Sequence, residues 1–294
     1  MDRANIALRA QDFHEGLRSL RAYGPKEAYL RNTLLIGKTA TLASHIKGID
    51  YIENSEALYG LAAELGINGT ELEVVLRTLE EADFARIVGS ASNFTRIELR
   101  VPELRNSYEE LGEQWLRRNP GELEVAAVSV LDQVVSVPKE KSAFQRDFGL
   151  DAEKLKLLVE LGANGGLIDE FSSDDGEVFL YSPLTMEESP QAVVEVCKRF
   201  GQTDIATTLN AIRGQQGVPL SLVKDKSAEI ASVGVRSGLF CPVEIEMNGH
   251  DYTFLFTPRG NLTREERGRR HLEGDCPPTD GFPADQPICG LVGA

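Results

Sequence analysis

The residue types that most often perform catalysis or bind metals are scattered along this chain. Its four cysteines, Cys197, Cys241, Cys276 and Cys289, are separated by 44, 35 and 13 positions. No pair has the C-x-x-C spacing and none has a histidine at metal-ligand spacing, so we expect no zinc site. Cys197 lies in an apolar helical run, which predicts a buried and unreactive thiol.

Two short motifs begin or end like functional signatures but fail on spacing. His14 starts a zinc-protease pattern, yet the position of the second histidine is occupied by Arg18. Residues 37–39, Gly-Lys-Thr, end like a phosphate-binding loop, but the glycine required five positions earlier is Asn32. We therefore expect no catalytic residue, no metal and no cofactor, and a protein that is not an enzyme.

The charge of the chain is acidic and unevenly distributed. The 294 residues carry 31 Lys and Arg against 46 Asp and Glu, a net charge of −15. Residues 1–50 contribute eight basic and five acidic side chains, so the rest of the chain carries 23 minus 41, or −18. Such a chain is a poor general binder of polyanions, and contact with nucleic acid requires a local basic patch.

Apolar residues are frequent enough for a folded protein but form no membrane segment. The hydrophobic fraction of 41% becomes roughly 48% when Gly is counted and Tyr is left out, which lies in the range of globular chains. No apolar run reaches the length of a spanning helix, and the first residues contain no apolar leader. We expect a cytoplasmic protein that does not contact membranes.

The most informative pattern begins at residue 55. Apolar spacing predicts a helix over 56–65, a stop at Gly66 and a second helix over 71–82 with Thr70 as its N-cap. Two strands, 84–88 and 94–101, follow as a hairpin. The predicted core of this unit comprises Leu61, Leu65, Leu72, Val75, Leu76 and Leu79.

The order of helix, tight turn, helix and hairpin resembles a winged helix-turn-helix. The strings Leu-Ala-Ala-Glu-Leu-Gly-Ile at 61–67 and Leu-Arg-Thr-Leu-Glu-Glu-Ala-Asp-Phe at 76–84 resemble winged-helix domains of prokaryotic transcriptional regulators. The resemblance covers roughly fifty residues. It implies that the helix over 71–82 faces the DNA major groove and that the hairpin is the wing.

The same pattern recurs twice further along the chain. Residues 148–150 match 65–67 at an offset of 83, and the apolar positions of the following helix match at that offset. A weaker third copy contains a helix over 227–237 and a hairpin around Asn248-Gly249, a strong turn signal. Helical connectors separate the copies, as expected for a tandem array of small domains.

These patterns predict a mainly helical α+β chain of tandem winged-helix domains joined by helical connectors. The expected limits are an N-terminal helical segment at 1–52, winged helix 1 at 53–104, a connector at 105–136, winged helix 2 at 137–189, helices plus a third winged-helix-like unit at 190–258, and a disordered tail at 259–294.

The surface that would meet DNA is mixed in charge. The outward side of the helix over 71–82 carries Glu71, Glu73, Arg77 and Glu81, with Val74 and Thr78. The second unit has a balanced helix and an acidic wing. The candidate DNA contacts are therefore concentrated in the first unit: Arg77, Arg86, Asn93, Arg96, Arg100 and Arg105.

Two functions of different classes follow. The family resemblance favours a DNA-associated transcription regulator that uses the first wing and the basic N-terminal helices. The acidic charge favours an adaptor whose winged helices bind proteins, similar to the accessory subunits of chromosome-organising complexes. In either case we expect a protein partner or self-association.

Overall fold

The computed structural model describes residues 1–18, 28–186, 190–247 and 249–257. Within these ranges the chain is α+β and mainly helical, as predicted, with small antiparallel sheets of three strands each. No helix in these ranges is long and apolar enough to span a membrane. The expectation of a disordered tail at 259–294 lies outside the described residues.

The first unit spans residues 31–99 and contains three helices and a three-stranded sheet. Its elements are α2 (Arg31–Ile46), β1 (Tyr51–Ile52), α3 (Ser55–Glu64), α4 (Gly69–Glu81), β2 (Ala85–Ser90) and β3 (Asn93–Leu99). The strands are ordered β1-β3-β2. The predicted hairpin after two helices is confirmed, whereas the two-residue strand β1 was too short to give a sequence signal.

Local sequence explains where α4 begins and which side it buries. Asn68, not the predicted Thr70, is the N-cap: its side-chain oxygen accepts a hydrogen bond from the Glu71 N–H, and the Glu71 carboxylate accepts one from the Asn68 N–H. Five of the six predicted core residues are buried, but Leu61 is only half-buried, because Leu58 and Ala62 fill that side of α3 instead.

The second unit repeats this order. Its elements are α6 (Glu122–Val134), β4 (Lys139–Glu140), α7 (Lys141–Phe148), α8 (Ala152–Asn164), β5 (Asp169–Ser172) and β6 (Val178–Tyr181), with strands ordered β4-β6-β5. Gly66 and Gly149, which are 83 positions apart, both have a positive φ, and Asp151 caps α8 as Asn68 caps α4. The predicted offset therefore matches equivalent backbone positions.

The third unit keeps the three-stranded sheet, but a 3₁₀ turn replaces the helix equivalent to α3 and α7. Its elements are α9 (Pro190–Phe200), α10 (Gln202–Gly214), β7 (Val218–Pro219), a 3₁₀ turn (Leu220–Leu222), α11 (Asp225–Arg236), β8 (Cys241–Met247) and β9 (His250–Phe256). The strand order is β7-β9-β8. The 3₁₀ turn stands where α3 and α7 stand in the other units, and Met247 pairs directly with His250 across the predicted two-residue turn.

Helix α1 (Arg3–Leu17) joins the first two units. It is buried from Ile6 to Leu17, and it contacts α2, α6, α8 and α5 (Leu104–Arg117). Ile6 and Leu8 belong to the first core, whereas Phe13 and Leu17 belong to the second. The limit predicted at residue 52 stays a prediction, since α1 and α2 contribute to cores that continue beyond it.

Candidate nucleic-acid interface

The strand alternation of β3 defines the exposed side of the first sheet. Ile97 is fully buried and Leu99 lies in the same core. Because successive side chains of a strand point to opposite sides, Arg96 and Glu98 lie on the outer side, as predicted. We call this surface the first outer face; its residues are Tyr51, Arg86, Val88, Arg96 and Glu98, which the strand register places side by side.

Both guanidinium groups on the first outer face have carboxylate partners. The Arg96 guanidinium lies 4.1 Å from the centre of the Tyr51 ring, and its Nη1 is 3.6 Å from the Glu53 carboxylate. The Arg86 Nη1 is 4.0 Å from the Glu98 carboxylate, directly opposite it in the register. The local charge of this face is therefore close to balanced.

The other candidate contacts are distributed over different elements. The Arg105 Nε donates to the Glu109 carboxylate at 3.1 Å on α5. Asn93 begins β3, and its backbone N–H donates to the Ser90 hydroxyl. Arg77 is exposed on α4. The structure thus groups Arg86 with Arg96, and contact of any of these residues with DNA stays a prediction.

Arg100 lies at an open cleft of about 510 Å³ where α4, β3 and α5 meet. The cleft is also lined by the acidic residues Glu81, Asp83 and Glu110 and by Arg117. An approaching phosphate would meet three carboxylates beside two guanidinium groups, so this cleft does not extend the positive charge of the wing.

The outward side of α4 differs from the predicted set at two positions. Thr78 is fully buried and accepts a hydrogen bond from Arg118 Nη2 at 3.1 Å. The Glu71 carboxylate turns towards α2 and accepts a 2.5 Å hydrogen bond from Lys38 Nζ. The exposed positions that remain include Val74, Arg77 and Glu81, and Glu81 pairs with Arg118.

A lysine from α9 pairs with two carboxylates in the acidic wing of the second unit. Lys198 Nζ lies 2.6 Å from the Asp175 carboxylate and 3.0 Å from that of Glu177. The hydrogen bond from Lys198 lowers the pKa of Asp175, and the reciprocal bonds raise the pKa of Lys198. The same ammonium lies 5.6 Å from the Phe179 ring centre. This wing therefore packs against its own chain.

The histidines and cysteines among the described residues lie on separate elements of the fold. No group of three or more His, Cys, Asp or Glu within the described ranges is arranged to hold a metal ion. Cys197 is buried in the third core, as predicted, and burial raises the pKa of its thiol to about 12. A thiol with that pKa stays protonated at neutral pH and is a poor nucleophile.

The most distinctive residue of the first outer face escaped the sequence analysis. Tyr51 is 49% exposed and provides the ring on which Arg96 stacks. It belongs to a two-residue strand, which is too short for an alternating pattern. The available signal was the Asn54 cap at the start of α3, because a two-residue strand precedes α3 and likewise precedes α7 and the 3₁₀ turn in the other two units.

Comparison with known proteins identifies no relative. No family model, curated protein or solved structure matches this chain.

Proposed function

We propose that the chain is an adaptor that binds proteins through winged-helix-like units, and that the first outer face is one of its contact surfaces. The observation that carries the proposal is the balance of charge on the wing: the guanidinium groups of Arg86 and Arg96 each lie within 4.0 Å of a carboxylate, that of Glu98 and that of Glu53. The net charge of −15 supports the same conclusion.

The charge distribution of the first unit opposes binding to duplex DNA. Binding to duplex DNA depends on Lys and Arg that replace counterions at phosphates. On the first unit, the carboxylates of Glu98 and Glu53 lie close to Arg86 and Arg96 and would oppose the approach of a phosphate to them. The neighbouring side of α4 exposes Arg77 together with the acidic Glu81, whose carboxylate pairs with Arg118, so this side adds little net positive charge towards a phosphate backbone.

The chemistry of the first outer face suits a protein partner. Tyr51 and Val88 are 49% and 42% exposed, and Arg96 lies over the Tyr51 ring. Tyrosine and arginine are enriched among the residues that dominate protein interfaces, because they combine apolar area with hydrogen-bonding capacity. A ring already stacked beneath a guanidinium also loses little side-chain freedom on binding.

A DNA-associated regulator is the second candidate, and one observation favours it. The helices α3 and α4 followed by the β2–β3 hairpin form the order that the winged-helix resemblance implies for a groove-facing helix beside a wing. In this alternative, the exposed Arg77 on α4 is the residue best placed to approach a base edge.

The adaptor is tested by recovering complexes of the tagged full chain from the cells that make it, with and without nuclease. We expect a protein to co-purify with the parent chain even after nuclease treatment. The Tyr51→Ala/Arg96→Ala variant should no longer recover it, because the two changes remove the ring and the guanidinium group from the contact surface. The matched control is Tyr29→Ala/Arg199→Ala, which removes an exposed tyrosine and an exposed arginine elsewhere. Recovery that disappears with nuclease, or that the Tyr51 variant retains, would contradict the proposal.

A further inference from the structure

The β8–β9 hairpin of the third unit has an apolar side and an acidic side. Leu255 is fully buried in the third core, and the side of the hairpin that it occupies also carries the exposed Glu244, Glu246 and Asp251. We call this the inner side. Three register pairs form the opposite, outer side: Cys241 with Phe256, Val243 with Phe254 and Ile245 with Tyr252.

The strand β8 forms one edge of the third sheet, whose strand order is β7-β9-β8. The Gly217 N–H donates to the Leu255 carbonyl at 3.0 Å, so the backbone groups of Leu255 point towards β7 and away from β8. Because these directions alternate along an antiparallel pair, the residues of β8 on the inner side direct their backbone groups away from β9. The N–H groups of Glu244 and Glu246 therefore face the edge, where Pro242 offers only a carbonyl.

On the other two sheets, a carboxylate of this chain binds an outward N–H group of the equivalent edge strand. On β2, the Ile87 N–H donates to the Glu80 carboxylate of α4 at 3.1 Å. On β5, the Glu170 N–H donates to the Asp169 carboxylate at 2.7 Å. Within the described ranges, no acceptor meets the outward N–H groups of β8. An unpaired edge of this kind is a template for the addition of a further strand.

The carboxylates on the inner side of this edge form no ion pair among the described residues. Glu246 lies directly opposite Asp251 in the register, and like charges in such a pair destabilise a hairpin. The acidic wing of the second unit differs, because Lys198 pairs with two of its carboxylates. A cation that relieves the repulsion in the third hairpin can be supplied by a partner.

The spacing of these groups defines the segment that fits the edge. In a strand added beside β8, the residues opposite Glu244 and Glu246 lie on the inner side, where Lys or Arg pairs with the carboxylates. The residues between them lie on the outer side next to Val243 and Ile245, where apolar side chains cover Ile245, which is 38% exposed. A second copy of β8 does not fit, because it would place glutamates beside glutamates.

We propose that the β8 edge binds an extended segment of another protein, which adds as an antiparallel strand and alternates basic with apolar residues. Antiparallel addition continues the pairing that β7, β9 and β8 already have, and it gives the more stable ladder. The contact is independent of the first outer face, because the two surfaces lie on different sheets, so either can fail without the other.

The probe is a fluorescein-labelled peptide of seven residues, the length of β8, that alternates Lys and Val. Its anisotropy is titrated with the full chain at about 50 mM salt, where charge pairing is least screened. A peptide of the same composition, with all lysines before all valines, is the control for charge alone. Two further peptides carry N-methyl groups either on the lysine amides, which face β8 in antiparallel addition, or on the valine amides, which face away.

We expect the alternating peptide to bind, and methylation of its lysine amides to weaken binding at least about tenfold, because it removes the hydrogen bonds to the edge. Methylation of the valine amides should leave the affinity unchanged. Absence of binding would overturn the proposal. Equal binding of the alternating and block peptides, or of the two methylated peptides, would also overturn it, since charge alone would then account for the contact.

The charge pairing is tested by Glu244→Lys/Glu246→Lys. This variant should bind the Lys–Val peptide about tenfold more weakly and should gain binding of the corresponding Glu–Val peptide. The matched control, Glu64→Lys/Glu195→Lys, makes the same change in net charge at exposed positions of α3 and α9 and should keep the preference of the parent. The same exchange of preference in the control would reduce the effect to net charge and overturn the proposal.

Discussion

The first and third sheets share one strand order but present opposite chemistry on their outer faces. The first carries paired charges around Tyr51, whereas the third carries apolar residues in three direct register pairs. The sides that face the cores are alike in character, with Ile97 and Leu255 both fully buried. The common backbone is therefore maintained by the inner side, and the outer side is free to differ between units and to carry function.

The largest expected effect comes from truncating a side chain in the first core. Leu76 is 1% exposed on α4 and belongs to the first core. Leu76→Ala should lower the free energy of unfolding by about 2–5 kcal/mol, because it removes buried methyl groups and leaves a cavity. Chemical denaturation of the full chain measures this loss. Leu61→Ala is the matched control on the half-buried side of α3 and should cost less; equal losses would mean that the two positions are equally buried.

Acid should lower the free energy of unfolding, because α1 places a buried histidine against the first unit. His14 Nε2–H donates to the Leu65 carbonyl at 3.0 Å. Burial, followed by the positive charge of Lys38, lowers the pKa of His14 from 6.5 to about 3. As pH falls below 6.5 the unfolded chain takes up this proton first, so the contribution present above pH 6.5 is lost progressively towards pH 3.

The measurement is the free energy of unfolding between pH 8 and pH 5. This linkage predicts a loss of about 1.4 kcal/mol per pH unit below 6.5 at most, from His14 alone. His14→Gln should flatten the slope in that window, while His250→Gln at the exposed start of β9 should leave it as it is. An unchanged slope in His14→Gln would show that other groups cause the acid sensitivity.

A smaller effect should follow from placing glycine after α4, as it is after the equivalent helices. Asp83 follows α4 with a φ of 60°. Glycines occupy the equivalent positions after α8 and α11: Gly166 has a φ of 63° and Gly238 a φ of 75°. At all three ends the next residue's N–H bonds a carbonyl five positions back, at Leu79, Gly162 and Gly234.

Asp83→Gly should therefore stabilise the chain by about 0.5–1 kcal/mol, since glycine adopts a positive φ without a steric penalty. Gly166→Asp is the reciprocal change and should destabilise it by a similar amount; no atom lies within 4 Å of the added Cβ, so backbone strain is the cause. Thermal unfolding compares the two variants, and a destabilised Asp83→Gly would point to a role of the carboxylate in the nearby cleft.

The sequence predicted the parts of the fold that rest on long apolar periods. The helices around Leu72 and Leu155, the hairpins and the offset of 83 between the first two units were all found this way. The strands of two residues, such as β1, gave no pattern, and the 3₁₀ turn at Leu220–Leu222 broke the third copy. The burial of α1 on all sides was also not visible, because its polar residues Arg9 and Asp12 bond to each other in the interior.

The candidate site was harder to predict, because charge pairing depends on neighbours distant in sequence. The outward position of Arg96 in its strand followed from alternation alone. Its pairing with Glu53 did not, since Glu53 precedes α3 and approaches Arg96 only after β1 pairs with β3. Arginines that looked like a basic cluster in the sequence therefore lie beside carboxylates in the fold, and the charges of this surface nearly balance.

The adaptor role requires that the first outer face does not bind nucleic acid. Fluorescence anisotropy of a labelled random duplex, titrated with the full chain at about 50 mM and about 200 mM salt, tests it most directly, because electrostatic attraction is strongest at low salt. We expect a flat curve at both concentrations, with Arg86→Ala/Arg96→Ala indistinguishable from the parent. Binding that weakens steeply with salt, and whose log–log slope falls by about two in that variant, would contradict the adaptor and support the regulator.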